Sequence, residues 1–187
     1  MRTARATGAV LVTIPLVLGG LASQSHAQAP SPSPSGTFGS GCSGLSQKAS
    51  TAKDKVVEAA AAHPQLSQLV SAAVRAKLGS TLDGKPGITL FAPNNQAFQK
   101  ITVSQLSSLL SNEGQLKKVL TYHVVDQQIT PNQLPKGSFK TVEGSKLTTS
   151  GSGSNFKVNG KANIVCGNIK AANATIYVID AVLQPPS

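Results

Sequence analysis

Acidic residues are scarce in this chain: seven among 187, against seventeen lysines and arginines. They are Asp54, Glu58, Asp83, Glu113, Asp126, Glu143 and Asp180. None forms a close carboxylate pair, which argues against glycosidase-type chemistry. Histidine is scarcer, with only His26, His63 and His123, and no H-E-x-x-H or comparable ligand spacing surrounds any of them. No G-x-S-x-G elbow occurs. Gly79-Ser80-Thr81-Leu82-Asp83-Gly84-Lys85 has the spacing of a phosphate-cradling loop. Pro86, however, stands where the metal-binding hydroxyl belongs, and a helix leads in where a strand should. Catalytic residues are therefore assigned to none of these positions, and no cofactor or metal is expected. A Ser–His–Asp arrangement is spatial rather than sequential. His123 thus remains the one histidine able to serve a small extracellular hydrolase, an alternative the structure must decide.

Arginine is also rare. After Arg2 and Arg5 only Arg75 remains, so the positive charge is nearly all lysine. Lys117-Lys118 is the one adjacent basic pair. Nucleic-acid readers favour arginine forks and clustered basic patches, so no nucleic-acid partner is expected. Weak attraction to anionic polymers fits the net charge of +10.

Long hydrophobic runs are confined to the beginning. Arg2 and Arg5, then the apolar stretch from Gly8 to Leu21, then Ser25-His26-Ala27 read as a secretory signal over 1–27. Thr13, Pro15, Gly19 and Gly20 break that run too often for a membrane span. Cleavage after Ala27 would leave residues 28–187, a length suited to one domain with its own core. No span after signal cleavage is expected; the protein is read as a secreted monomer, loosely held at the cell wall at most. Two cysteines, Cys42 and Cys166, make an even pair in an exported chain and are expected to bridge.

Residues 28–41, QAPSPSPSGTFGSG, are a Pro/Ser/Gly tract expected to be a disordered spacer, with order beginning near Cys42. The domain is placed at 42–187. Its first half reads as helices: TAKDKVVEAAAA, then an amphipathic stripe of Leu66, Leu69, Val70, Ala73, Val74 and Leu78 closed by Gly79. ITLFAP reads as a short strand stopped by Pro93, with Asn94 or Asn95 capping a turn of helix. SQLSSLL and NEGQLKKVL suggest two more helices, the second capped by Asn112. TYHVV is strand-like, so Tyr122 and His123 are expected on opposite faces, one packed and the other accessible. Beyond about 138 the chain reads as strands split at Glu143-Gly144, Gly151-Ser152-Gly153, Asn159-Gly160 and Gly167-Asn168, with Asn159-Gly160 a hairpin signal. In the last run Ile176, Val178, Asp180 and Val182 share one face, and Tyr177, Ile179, Ala181 and Leu183 the other. Apolar side chains on both faces imply a central strand. Asp180 should then be partly buried and hydrogen-bonded, to backbone amides or to His123. Helices first and strands later give an α+β class.

Three segments together resemble the fasciclin (FAS1) family, over about 50–185. TLFAPNNQAF at 89–98 resembles its first signature, with Thr89, Phe91, Ala92, Pro93, Asn95 and Phe98 in motif positions. Tyr122-His123 resembles its central Tyr-His pair, and ATIYVIDAVLQPP at 174–186 its closing signature, with Ile176, Val178, Asp180 and Leu183. Asn94 replaces the threonine common in the first signature, and no Arg-Gly-Asp occurs. Cys42, Ile164-Val165-Cys166-Gly167 and Ala172-Asn173-Ala174-Thr175 look most like the small secreted fasciclin-type antigens of mycobacteria, which implies an actinobacterial source. The resemblance implies a wedge of mostly antiparallel strands with several helices, and an extracellular adhesion module that binds a protein or polysaccharide without catalysis. The family's adhesive region would fall on Tyr122, His123, Val124 and Val125. Read from the residues themselves, TYHVV is chiefly fold-building. A carrier of a small apolar ligand is a further alternative and would require a sizeable cavity.

Overall fold

The computed structural model describes residues 36–44 and 53–186. The leader and most of the spacer expected from the sequence lie outside the described residues. Among the described residues the α-helices are α1 (Val56–Ala61), α2 (Ser67–Arg75), α3 (Gly79–Asp83), α4 (Asn95–Gln99), α5 (Val103–Ser111) and α6 (Glu113–Tyr122). The strands among these residues are β1 (Ile88–Pro93), β2 (Val124–Val125), β3 (Lys136–Lys140), β4 (Lys146–Ser152), β5 (Asn155–Val158), β6 (Ala162–Lys170) and β7 (Ala174–Ile179).

The strands form one sheet in the order β2-β1-β7-β6-β5-β4-β3. Every pairing is antiparallel except β1 with β7, which run parallel from Ile88↔Ala174 to Pro93↔Ile179. A bridge between Val125 and Thr141 joins the two ends, so the sheet nearly closes on itself and leaves little exposed edge. The FAS1-like α+β wedge expected from the sequence is the fold observed.

β1 and β7 are buried at all twelve positions because both faces are covered. On one face Leu90, Ile176 and Val178 pack under the helices, against Val56, Leu66 and Leu69. On the other, Phe91, Tyr177 and Ile179 meet the inner faces of β3–β6, through Phe139, Leu147, Phe156 and Ile164. Each large apolar side chain so enclosed contributes about 1.5–3 kcal/mol relative to exposure. Phe98, a motif position like Phe91, is only half-buried against the helical core.

Local chemistry explains the boundaries. Asn94, not Asn95, caps α4 by accepting from the Ala97 N–H at 2.8 Å. Asn112 caps α6 by accepting from Gln115 at 3.1 Å. At the β5–β6 hairpin Asn159 and Gly160 both adopt positive φ, 51° and 66°, as a tight two-residue turn needs.

Three expectations fail. Gly167-Asn168 does not separate two strands: β6 runs straight through it, with register shifts between Ile164 and Ile169, and the chain turns at 171–173 instead. Those two residues are a bulge, with Asn168 at φ 61°. Similarly, β4 continues through Gly151 and Ser152, so that hairpin turns at 153–154. Finally, residues 36–41 of the supposed spacer are part of the fold. Phe38 exchanges backbone hydrogen bonds with Gly167, its N–H donating at 3.2 Å and its carbonyl accepting at 2.8 Å. Its ring packs edge-on against Phe156 at 5.5 Å and tilted against Tyr177 at 6.2 Å. One aromatic within a Pro/Ser/Gly tract is too small a signal to outweigh the surrounding composition.

Candidate functional site

The first-signature residues are structural fasteners. Thr89 is buried; its hydroxyl donates to the Gln127 carbonyl and accepts from the Ile129 N–H, both at 2.8 Å, which pins the β2–β3 connection. Phe91 stacks on Tyr177 with centroids 5.6 Å apart. The Tyr177 hydroxyl donates to the Ile129 carbonyl at 2.9 Å, and burial pushes its phenol pKa up. Ala92 and Pro93 are buried at the end of β1. Asn95 reaches back to α2, donating to the Pro64 carbonyl and accepting from the Gln68 N–H, both at 3.1 Å.

Tyr122 and His123 do not lie on a strand. Tyr122 is the last residue of α6 and His123 its C-cap; only Val124 and Val125 enter β2. The expectation that one ring is packed and the other accessible is therefore wrong: Tyr122 is 3 % exposed and His123 is 0 %. A helix terminus turns consecutive side chains by roughly 100° rather than 180°, so both can enter the interior. They brace different elements. The Tyr122 hydroxyl donates to the Lys146 carbonyl at 3.2 Å and accepts from the Asn159 amide at 2.8 Å, tying α6 to β4 and the β5–β6 turn. His123 Nδ1 donates to the Val119 carbonyl at 2.7 Å, and its Nε2 accepts from the Leu183 N–H at 3.0 Å. Those two bonds select the neutral ring with the proton on Nδ1. Burial is the main cause that lowers its pKa from 6.5 to about 4, against a smaller opposing effect of the Val119 bond.

An imidazole with both nitrogens spent on backbone and no exposure is no general base in an open cleft. The hydrolase alternative built on His123 is overturned. Asp180, the acid suspected of facing it, lies just past β7 and pairs elsewhere. Its carboxylate accepts from the Asn163 backbone N–H at 2.7 Å, from the Asn163 side chain at 2.9 Å and from Lys100 at 3.1 Å. Partial burial pushes the Asp180 pKa upward, but the Asn163 and Lys100 contacts outweigh it and hold the carboxyl below its usual range. The expected cystine is present: Cys42 and Cys166 are bonded, with Cα atoms 4.8 Å apart. Among the described residues, no group of three His, Cys, Asp or Glu side chains is placed to hold a metal ion. No described helix is long and apolar enough to cross a membrane.

His123 nevertheless stands behind an open feature that the sequence did not disclose. An open groove of about 490 Å3 runs between α5, α6 and the C-terminal residues Gln184–Pro186. Val119, on α6, and Gln184, next to Leu183, stand on its two walls, so the imidazole ties one wall to the residue beside the other. Leu109, Pro185 and Pro186 supply apolar lining, while Ser104, Ser108, Gln115 and Lys118 supply hydroxyls, amide and ammonium. That set can bind through hydrogen bonds and one cation; it offers no nucleophile–base pair. α5 has no fully buried residue, and Val103 at its start is 85 % exposed. Two enclosed apolar voids under the helices hold only about 20 Å3 each. That is room for roughly one water, far below the roughly 300–1,000 Å3 of small-molecule sites, so they do not support the carrier alternative.

One structural residue went unrecognised in the sequence. Asn173 accepts from the Val56 N–H at 2.9 Å and donates to the carbonyls of Leu82 at 2.8 Å and Lys85 at 3.0 Å, joining α1 and α3 to the β6–β7 turn. Its side-chain nitrogen is thus fully engaged inside the fold.

The likeness to known proteins agrees with this geometry. A family profile described as a fasciclin domain matches residues 64–185. The immunogenic protein MPB70 of Mycobacterium bovis is 36% identical over 184 residues, covering 96% of this chain and 90% of the relative. The cell surface glycolipoprotein MPB83 of the same organism is 39% identical over 145 residues, covering 74% and 64%. Protein sll1483 of a Synechocystis strain is 38% identical over 144 residues, covering 76% and 79%. A solved FAS1 domain pair from the insect cell adhesion molecule fasciclin I superposes with a TM-score of 0.57 at 18% identity, covering 71% of this chain and 51% of the pair, and supports the fold alone. With its cystine, this kinship places the domain outside the cell. The chain belongs to the fasciclin family, and its described residues from Gly36 onward build a FAS1 wedge.

Proposed function

We propose that the protein is a secreted, non-enzymatic interaction module that acts as a monomer and binds a protein or polysaccharide at a cell surface or in extracellular matrix. The observation that carries this reading is the use of the Tyr-His pair. The residues that the family associates with adhesion are buried braces here, and the groove that His123 holds open is what a partner meets. Tyr122, His123, Val124 and Val125 then act through the surface they support rather than by touching a partner. The groove's mixture of hydroxyl, amide and apolar lining suits a hydroxylated or peptide-like chain.

The test is retention of the purified protein on isolated cell walls and on a protein matrix. The expected result is saturable retention that falls about tenfold in a Gln115→Ala/Lys118→Ala variant, roughly two lost polar contacts. Absence of retention on every surface would overturn the proposal. Undiminished retention of the variant would displace the groove from it.

A further inference from the structure

The outer face of β3–β5 carries a charge pattern that the groove does not use. Along β3 the exposed positions are Lys136, Ser138 and Lys140; along β4, Lys146, Thr148 and Ser150; along β5, Asn155 and Lys157. The alternate positions, Phe139, Leu147, Phe156 and Val158, face the core. Strand registers place Lys136 opposite Ser150, Ser150 opposite Lys157 and Lys157 opposite Asn163. Lys136 and Lys157 therefore stand two strands apart, about 10 Å, and Lys140 lies about 13 Å along the strand from Lys136. Lys161 follows in the exposed turn before β6.

No acid lies on this face. Of the acids adjoining it, Glu143 sits in the β3–β4 turn and accepts from the Ser145 N–H at 3.1 Å, while Asp180 beside Asn163 is paired with Lys100. None of the five lysines joins an ion pair among the described residues. Lys140 and Lys146 are direct cross-strand partners. Like charges directly opposite in a sheet are destabilising, and an anion between them would relieve the repulsion.

We propose that this face is a second binding surface, for a linear anionic polysaccharide. It goes beyond the groove and does not depend on it. Lysines spread over two strand spacings match charges distributed along a polymer. The serine, threonine and asparagine side chains between them match sugar hydroxyls. A nucleic acid fits less well, because the face has no arginine and its aromatics point into the core. An anionic membrane also fits less well, because no apolar side chain stands on the face to insert.

The experiment measures binding of the purified full chain to dextran sulfate, alginate, neutral dextran and oligothymidylate over a range of salt. Binding to the two anionic polysaccharides and not to neutral dextran is expected. Affinity should fall with salt by about 0.7–0.9 logarithmic units per charge contact for each tenfold rise. Lys136→Gln/Lys140→Gln/Lys157→Gln should lose at least about tenfold and show a shallower salt dependence. A control of equal net charge, Lys53→Gln/Lys55→Gln/Lys77→Gln, should lose far less. Lys146→Glu should weaken polymer binding while raising the melting temperature, since it replaces a like-charge pair with an opposite one; lower stability together with unchanged binding would count against the face. Equal losses in the two triple variants would reduce the effect to net charge and overturn the proposal. So would full affinity in the first variant, or oligothymidylate binding more tightly than either polysaccharide. Cell-wall retention that persists while both anionic polymers fail to bind would refute this surface and leave the groove reading standing.

Discussion

Protonation of His123 should set the acid stability of this domain. The imidazole is fully buried and neutral, donating to Val119 at 2.7 Å and accepting from Leu183 at 3.0 Å. Its pKa falls from 6.5 to about 4 on folding, chiefly through desolvation. Between those values the unfolded chain binds a proton that the folded chain does not, so stability rises with pH across this window. The full contribution, present above pH 6.5, is about 3 kcal/mol for a shift of this size. It is lost progressively as pH falls towards 4, about 2–3 kcal/mol of it by pH 4.5. A His123→Phe variant keeps most of the volume but leaves the buried Leu183 N–H without its acceptor, at a cost of about 1–3 kcal/mol at pH 7.5. The variant has no proton to gain, so the two proteins should converge in acid. Urea unfolding of both at pH 7.5, 6, 5 and 4.5 measures this directly. Carboxylates such as Asp180 titrate in both proteins and cancel in the difference. A stability gap that stays constant from pH 7.5 to 4.5 would refute the assignment of a neutral, doubly bonded His123.

Four further outcomes follow from the packing. Cys42→Ser should lower stability by about 4–5 kcal/mol in the chain-entropy picture, because the bond spans 124 residues; chemical unfolding against the oxidised parent checks it. A β-carbon on Gly167 would overlap the Phe38 ring, so Gly167→Ala should undock residues 36–41 and open them to limited proteolysis. Combined with Phe38→Ala it should cost little more than either change alone. Tyr122→Phe removes the bonds to Lys146 and Asn159 and should cost about 1–2 kcal/mol, read as a lower melting temperature. Asp180→Ala leaves Asn163 and Lys100 without their acceptor and should cost about 1 kcal/mol near neutral pH, with the loss shrinking in acid as the parent's carboxylate is protonated. An unchanged melting temperature would defeat it.

Legibility in the sequence tracks the range of the interaction responsible. The caps at Asn94 and Asn112 and the Asn159-Gly160 turn depend on neighbours within four residues, so composition and spacing reveal them. The amphipathic stripe holds only in part: Leu69 and Ala73 are buried, but Val74 is 65 % exposed, α2 ends at Arg75, and Gly79 begins α3. Gly167-Asn168 has the composition of a turn but sits in a bulge, because Phe38, far away in the chain, needs the space and the hydrogen bonds there. Tyr122 and His123 look like strand residues because valines follow them. Their placement at a helix end is set by Lys146, Asn159 and Leu183, all more than twenty residues distant. The groove has no local sequence mark, since its walls come from three separate segments.

The family motifs, the helix-then-strand order, the cysteine pair and the lysine-rich, acid-poor charge are thus determined by the sequence itself. Each depends on residue identity or short-range periodicity, which survives without coordinates. Tertiary structure alone decided that the Tyr-His pair is buried, that its two rings brace different elements, and that four separated lysines share one acid-free face. Burial, proton placement and charge juxtaposition depend on which distant strands and helices meet, and that is settled only when the sheet curls over its second core.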